Sequence, residues 1–314
     1  MNHKTQLGST QLYIHPVGLG ANAIGGHNLY PDLDEEENRR LVEKVIQSDI
    51  NFIDTAYAYG DGRSEEILGE VIAASGQREN LVIATKASHR RLNGEKVHDN
   101  SPDFLKQAVE EALERLQTDY IDLFYIHYPD EETPKGEAVA ALQELKEAGK
   151  IKAIGLSNFS LDQIKEANKD GYVEVIQDHY NLPYRDLEDE LFPYLEENDI
   201  SFVPFFPFQS GLLTGKYDGS ERFPVGDLRR GQDDFRGQNF QDNAKKVQQL
   251  KPLAEKYGVD ISNIVLAFYL TRGPVQAVIP GAKTPEQIHS NLKTMQVKLS
   301  EDDIALIDQL FPIK

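Results

Sequence analysis

The chain has 314 residues, 39% of them hydrophobic and 27% charged, a balance that excludes fibrous and disordered classes and leaves either two average domains or one α/β barrel. Its 33 basic and 52 acidic residues give a formal charge of −19, which repels phosphate backbones and anionic lipid and so excludes nucleic acid and membrane surfaces as default partners. The absence of cysteine removes disulfides, thiolate nucleophiles and Cys-held metal sites, and fits a reducing compartment.

Along the chain, Met1 to Gly20 lacks an apolar leader behind a basic start, and no later run approaches a membrane span, so a cytoplasmic location is expected. Thr5–Ile14, with Gly8-Ser9 in its middle, predicts a hairpin that plugs the N-terminal end of a barrel. Short apolar runs follow, of the kind parallel strands show when both faces are covered: Val17–Gly20, Ile50–Asp54, Leu81–Thr85, Ile121–Ile126, Ile151–Leu156, Val173–Gln177, Ser201–Phe206 and Val275–Pro280. Helical patterns fill the gaps. Asp34–Gln47 is an acidic helix, and Ser101-Pro102 opens another. Thr133-Pro134 opens one with Ala138, Leu142 and Leu145 on one face and Gly149 past its end. Ser160 with Gln163, and Thr284-Pro285 with Gln287, have capping-box spacing, and Glu301–Leu310 is a final helix. Gly211–Asn243 has no clear periodicity and is expected to be a binding loop or lid near the active site.

Strand and helix alternate eight times, which predicts an α/β fold, a (β/α)8 TIM barrel with an N-terminal β-hairpin, as one domain over residues 1–314. Periodicity does not show closure, so a doubly wound open sheet is the alternative.

Polar residues stand where the strands end: Asp54, Lys86, His127, Ser157, Asn158 and Gln177. In a barrel that end is the catalytic rim, and groups buried there must compensate one another. Singly, each has a bland reading: Asp54 as a turn cap, Lys86 as a solvated cation, His127 as a core histidine, Tyr59 as packing. Together they form a proton-donating device. A tyrosine whose ordinary pKa is about 10 acts as an acid at neutral pH beside a cation that stabilises phenolate. Lys86 is that cation, Asp54 holds it, and His127 orients a carbonyl oxygen toward the Tyr59 hydroxyl.

The string Asp54-Thr55-Ala56-Tyr57-Ala58-Tyr59-Gly60, then Arg63-Ser64-Glu65-Glu66-Ile67-Leu68-Gly69, Lys86 and Tyr125-Ile126-His127, resembles the aldo-keto reductase family signature. The likeness continues through Gly155-Leu156-Ser157-Asn158-Phe159, Gln177, Ser210 to Lys216, and Ile279-Pro280-Gly281-Ala282-Lys283. It implies Tyr59 as general acid tuned by Lys86 and Asp54, His127 positioning a small-molecule carbonyl substrate, and Ser157, Asn158 and Gln177 holding the nicotinamide. The stacking residue, usually tyrosine in the family, aligns with Phe205, with Phe206 as the choice if the register slips by one. The same resemblance puts the pyrophosphate under the loop bearing Pro207, Phe208, Gly211 and Lys216, and the adenosine end at Gly281, Lys283, Gln287 and Asn291. Lys283 as a 2′-phosphate ligand implies NADP(H) over NAD(H). Gln287, where many NADPH-using relatives carry arginine, softens that preference.

Gly25-Gly26-His27-Asn28-Leu29-Tyr30-Pro31 and Asn100-Ser101-Pro102-Asp103-Phe104 resemble bacterial reductases associated with myo-inositol catabolism, which makes a sugar- or polyol-derived carbonyl the expected substrate class beside simple aldehydes. Substrate-lining candidates are Ala23, Ile24, Tyr30, Tyr57, Tyr128 and Phe205. A nicotinamide-binding regulatory subunit is the rival reading, since the family contains channel-associated members. A short-chain dehydrogenase would place Tyr and Lys about one helical turn apart. A metal-dependent hydrolase would need a compact ligand motif that the eight histidines do not form, so no metal is expected. No nucleic-acid, membrane or obligate protein partner is expected.

Overall fold

The computed structural model describes residues 4–30, 32–92 and 95–313. Pro31, quoted above, lies outside them. The strands are β1 (Thr5–Gln6), β2 (Tyr13–Ile14), β3 (Leu19–Gly20), β4 (Phe52–Asp54), β5 (Val82–Ala87), β6 (His89–Leu92), β7 (Glu95–His98), β8 (Ile121–Ile126), β9 (Ile151–Ser157), β10 (Val175–His179) and β11 (Ser201–Phe205). The helices are α1 (Glu35–Ile46), α2 (Arg63–Ser75), α3 (Pro102–Leu116), α4 (Lys135–Glu147), α5 (Leu161–Ala167), α6 (Leu187–Glu197), α7 (Gly237–Gln248), α8 (Lys251–Tyr257), α9 (Ile261–Tyr269), α10 (Pro285–Leu292) and α11 (Glu301–Leu310).

One parallel sheet runs in the order β3-β4-β5-β8-β9-β10-β11. Its two edges are bound by the same segment: Val275 bridges to Phe202 on one side, while Val278 and Gly281 bridge to Val17 and Gly20 on the other. The Val278 amide donates to the Pro16 carbonyl at 2.8 Å, and the Phe202 amide donates to Pro274 at 2.7 Å. The expected strand Val275–Pro280 is therefore the eighth stave, contributed as bridges rather than a full ladder, and the sheet is a closed (β/α)8 barrel.

Side chains alternate across each stave. Ile53, Ile83, Phe124, Ile154, Ile176, Phe202 and Val278 face the helix layer. Phe52, Val82, Leu123, Ala153, Val175, Val203 and Ala277 face the interior, and Leu7, Leu12 and Ile14 of the β1–β2 hairpin pack on them. The hairpin thus plugs the barrel floor. Gly8 at its tip has φ +53°, donates to Ser201 Oγ at 2.5 Å, and lies so close to the floor that a Cβ would meet the Glu174 carbonyl at 2.5 Å.

Most helix starts follow the expected capping. Asp34 accepts from the Glu36 and Glu37 amides, an arrangement worth about 1 kcal/mol, and Ser160 and Gln163 complete a reciprocal box. At Thr284 the expected box does not close: its hydroxyl accepts from the Gln287 amide, but the Gln287 side chain accepts from Lys283 N at 2.7 Å instead. Helix α4 begins at Lys135 with Pro134 as its cap position, one residue beyond the expected Thr133.

Two segments differ more. The antiparallel β6–β7 hairpin was not predicted. Gly211–Asn243 is not structureless: it contains single turns at Leu212–Thr214, Leu228–Gly231 and Asp233–Phe235, and α7 begins inside it. Leu212, Tyr217, Phe235, Phe240 and Ala244 bury a small core of their own there, which fixes the excursion by packing.

Candidate active site

Asp54, Lys86, His127, Ser157, Gln177 and Phe205 occupy interior positions at the C-terminal ends of β4, β5, β8, β9, β10 and β11, or one residue past them, because each lies two or four residues after an interior apolar residue. The Lys86 ammonium has no contact with solvent. It donates to Asp54 Oδ1 at 2.5 Å and to the Thr55 carbonyl at 2.7 Å. Gln177 Nε2 reaches across the barrel to Asp54 Oδ2 at 2.9 Å, so both carboxylate oxygens are held. Gln177 was expected on the nicotinamide; its donated bond goes to Asp54.

Tyr59 sits in the turn after β4. That turn is clamped from the neighbouring loop by Asn28, whose Nδ2 donates to the Ala58 carbonyl at 2.9 Å and whose Oδ1 accepts from Gly60 N at 2.8 Å. Lys86 Nζ lies 5.4 Å from the centre of the Tyr59 ring, and His127 meets that ring edge-on with centroids 6.5 Å apart. The four residues come together at one mouth.

Sequence reasoning missed Tyr125 as part of this device. Its fully buried ring lies 5.6 Å from Lys86 Nζ, and it requires Gly155 opposite, since a Cβ there would stand 2.3 Å from the ring. The Gly155 in the quoted motif was the available signal.

The electrostatics correct one expectation. Lys86 was to bring the Tyr59 phenol down. Instead burial first, then the charge of Asp54, pushes Tyr59 well above the usual tyrosine value. The cause is geometric: the ammonium is spent on Asp54, while the phenol loses water. Burial lowers the Lys86 pKa, with Asp54 opposing that shift. The phenol is therefore protonated and loaded as an acid at neutral pH. Burial, followed by the nearby basic groups Lys86, His89, Lys96 and His98, holds His127 well below its ordinary 6.5, so the imidazole is neutral. Its Nδ1 is buried without a partner, and Asn158 Nδ2 donates to its carbonyl at 3.0 Å.

That shift predicts a pH dependence of stability. An unfolded histidine takes a proton near pH 6.5 and folded His127 does not, so the stabilisation is complete above pH 6.5 and declines as pH falls from there. His127→Gln is expected to flatten the decline between about pH 5 and 6.5, measured as urea midpoints against the wild type. Parallel slopes would contradict the assignment.

Around the mouth, Ser157 is buried and its Oγ accepts from Asn158 Nδ2 at 3.0 Å; Asn158 itself holds φ +63°. Phe205 shares the interior face with Val203, whereas Phe206 has φ +52° and is 50% exposed. The chain alternation therefore puts Phe205 on the interior face. Both rings border a cavity of about 360 Å³ with His179, Gln209, Ser210 and Gln232.

The segment from Phe206 to Gly211 is unusual in its backbone. Phe206, Gln209, Ser210 and Gly211 all have positive φ, a conformation that non-glycine residues keep only where the surroundings enforce it. Tyr269 donates to the Pro207 carbonyl at 2.9 Å, Phe208 packs on the core, and Lys216 is exposed with Nζ 4.8 Å from the Tyr217 ring. Asp234 ties the excursion back by accepting from Gln209 Nε2 at 2.8 Å and Tyr184 Oη at 2.9 Å.

Across the mouth, Gly281 bridges Gly20, Lys283 Nζ lies 4.4 Å from the Tyr30 ring, Gln287 is exposed and Asn291 buried. A buried serine hydroxyl, an asparagine amide, an interior aromatic face, a constrained glycine-containing loop and two exposed lysines form a donor set that suits a nicotinamide dinucleotide. Of the expected substrate-lining residues, Tyr30 and Tyr57 are half-buried and Tyr128 is exposed. Ala23 and Ile24 are instead core residues, 4% and 0% exposed, because the turn at Ala21–Ala23 folds them inward.

Comparison with known proteins agrees with this geometry. Residues 16–311 match the model of the aldo/keto reductase family. Aldo-keto reductase YhdN of Bacillus subtilis is 33% identical over 300 residues, covering 95% of this chain and 90% of that one. The NADH-specific methylglyoxal reductase of Escherichia coli is 32% identical, covering 98% of each chain. The solved structure of glycerol dehydrogenase AKR11B4 from Gluconobacter oxydans superposes with a TM-score of 0.92 at 30% identity, covering 100% of this chain and 97% of that chain. With a closed barrel, a buried Asp-Lys pair under a tyrosine and a match over nearly its whole length, the chain belongs to the aldo/keto reductase family.

Proposed function

We propose that this member reduces a small aldehyde or ketone, and in reverse oxidises the alcohol, with Tyr59 as the acid, His127 orienting the carbonyl, and Asp54 and Lys86 tuning the phenol. The observation that carries this reading is the buried Lys86 ammonium, hydrogen-bonded to Asp54 and 5.4 Å from the Tyr59 ring. A lysine buried inside a barrel costs stability even when paired, and such a cost is kept where the charge has a chemical task.

A nicotinamide dinucleotide, when bound, would supply the hydride. The chain's own part is to deliver a proton. Tyr59 holds its proton at neutral pH because burial disfavours phenolate. As charge develops on the carbonyl oxygen, the phenol surrenders the proton, and Lys86 below the ring then stabilises the phenolate it could not favour beforehand. Neutral His127 contributes a hydrogen bond rather than a charge, which directs the oxygen without competing for the proton. Gln177 fixes Asp54 and so aims Lys86.

Ser157 and Asn158 would hold the carboxamide, Phe205 the ring face, Pro207, Phe208, Gly211 and Lys216 the pyrophosphate, and Gly281, Lys283, Gln287 and Asn291 the adenosine end. Lys283 supports NADPH over NADH, against the example of the NADH-specific relative in Escherichia coli. For the substrate, the likeness to inositol-associated reductases favours an oxygenated, sugar- or polyol-derived carbonyl.

The test is cofactor oxidation with NADPH and with NADH over an aldehyde and ketone panel. Turnover with a kcat/KM advantage of about tenfold for NADPH is expected, the worth of one charged hydrogen bond to a phosphate. Stoichiometric cofactor binding with no turnover on any carbonyl would contradict the enzyme and favour the regulatory-subunit reading.

A further inference from the structure

The β6–β7 hairpin rises directly from the strand that carries Lys86. Its register pairs His89 with His98 and Arg91 with Lys96. Because side chains alternate along a strand, Lys96 and His98 share a face with His89, while Glu95, Arg90 and Val97 take the other. The first face turns toward the reacting end of the barrel. The His98 ring lies 5.2 Å from Tyr128, Tyr128 stacks on His127 at 4.7 Å, and His89 meets His98 edge-on at 6.5 Å.

Charge makes this face unusual. The chain as a whole carries −19, yet the side chains that act electrostatically on His127 are Lys86, His89, Lys96 and His98, all of basic type. Nearby carboxylates are engaged elsewhere: Asp99 pairs with Arg90 at 2.9 Å, and Asp130 is held by Lys135 at 3.3 Å and by the Asn100 and Thr133 amides. Burial raises the Asp178 carboxyl pKa, and burial followed by the Asp178 charge raises that of Tyr128.

We infer that this hairpin face receives an anionic oxygen group of the substrate, a carboxylate or a phosphate, so that the preferred carbonyl compounds carry such a group a short carbon chain away from the carbonyl. The inference rests on the reductase reading of the same site. Lys96 is exposed and reaches the anion from solvent; His98 and Tyr128 supply ring edges and hydrogen-bond donors beside it. A local basic mouth in an acidic protein also draws anions in against the overall field, and added salt weakens that steering.

Two matched substrate pairs test it: succinic semialdehyde against butanal, and glyceraldehyde phosphate against glyceraldehyde, each with the wild type and Lys96→Glu. In the wild type, kcat/KM for the anionic member is expected to exceed that of its neutral partner by about tenfold in at least one pair, and Lys96→Glu is expected to cut that ratio by about tenfold. A preference in one pair alone identifies carboxylate or phosphate as the source. Ratios near one in both pairs, or a ratio that Lys96→Glu leaves unmoved, overturn the inference while leaving the reductase reading intact. If neither member of either pair turns over, the wider carbonyl panel decides the reductase reading. Calorimetric titration of the cofactor-loaded chain with succinate and with glycerol phosphate then decides: binding weakened by Lys96→Glu supports the basic face as an anion site, and no binding overturns it.

Discussion

Lys86→Met is expected to lower stability by about 3–5 kcal/mol and to abolish measurable reduction, because it strands the Asp54 carboxylate in the barrel with only the Gln177 amide for company. Methionine fills the lysine's volume, so the loss isolates charge rather than a cavity. The melting temperature should fall by roughly 10 °C for a chain of this size. Adding Asp54→Asn removes the stranded charge and should recover at least about 2 kcal/mol of that loss without restoring activity, since the tuning cation is still missing. Thermal unfolding of the two variants beside the wild type checks both steps. A Lys86→Met protein that melts within a degree or two of the wild type would show that the pair is not the buried, mutually dependent unit described here.

The staves of the barrel were legible because parallel strands covered on both faces are written as apolar runs, and interior polar residues at their ends stand out against that background. Ile121–Ile126 and Glu301–Leu310 match their elements to the residue. The eighth stave was legible as Val275–Pro280 although it forms only bridges, since its burial, not its ladder, is what composition records. The β6–β7 hairpin was not legible for the complementary reason: its two four-residue strands are mostly polar, and β7 is largely exposed, so no apolar run marks them. Helix α7 could have been found from Phe240, Ala244 and Val247, spaced four and three residues apart, but the preceding Gly237 and polar residues hid its start.

At the site, identities were legible and couplings were not. Asp54, Lys86 and His127 could be chosen from strand ends and Tyr59 from the loop that follows, yet three facts depend on through-space geometry that spacing does not encode: Gln177 bonding to Asp54, Asn28 clamping the Tyr59 turn, and Tyr125 packed beneath Lys86. The direction of the Tyr59 shift was misjudged for the same reason. Sequence displays the lysine's charge, but not how much water the phenol loses nor that Asp54 already engages the ammonium.

The account's central claim is that the Tyr59 hydroxyl delivers the proton. Tyr59→Phe removes that oxygen and leaves the ring, the Lys86–Asp54 pair and the cofactor groove in place, so it separates chemistry from binding more cleanly than any other change at the site. A single-turnover experiment, following NADPH fluorescence after mixing the cofactor-loaded wild type or variant with one good aldehyde, reads the chemical step directly. The expected result is a rate constant about 10²–10⁴-fold lower in Tyr59→Phe, with NADPH affinity within about twofold of the wild type. A variant that oxidises NADPH at the wild-type rate would contradict the claim.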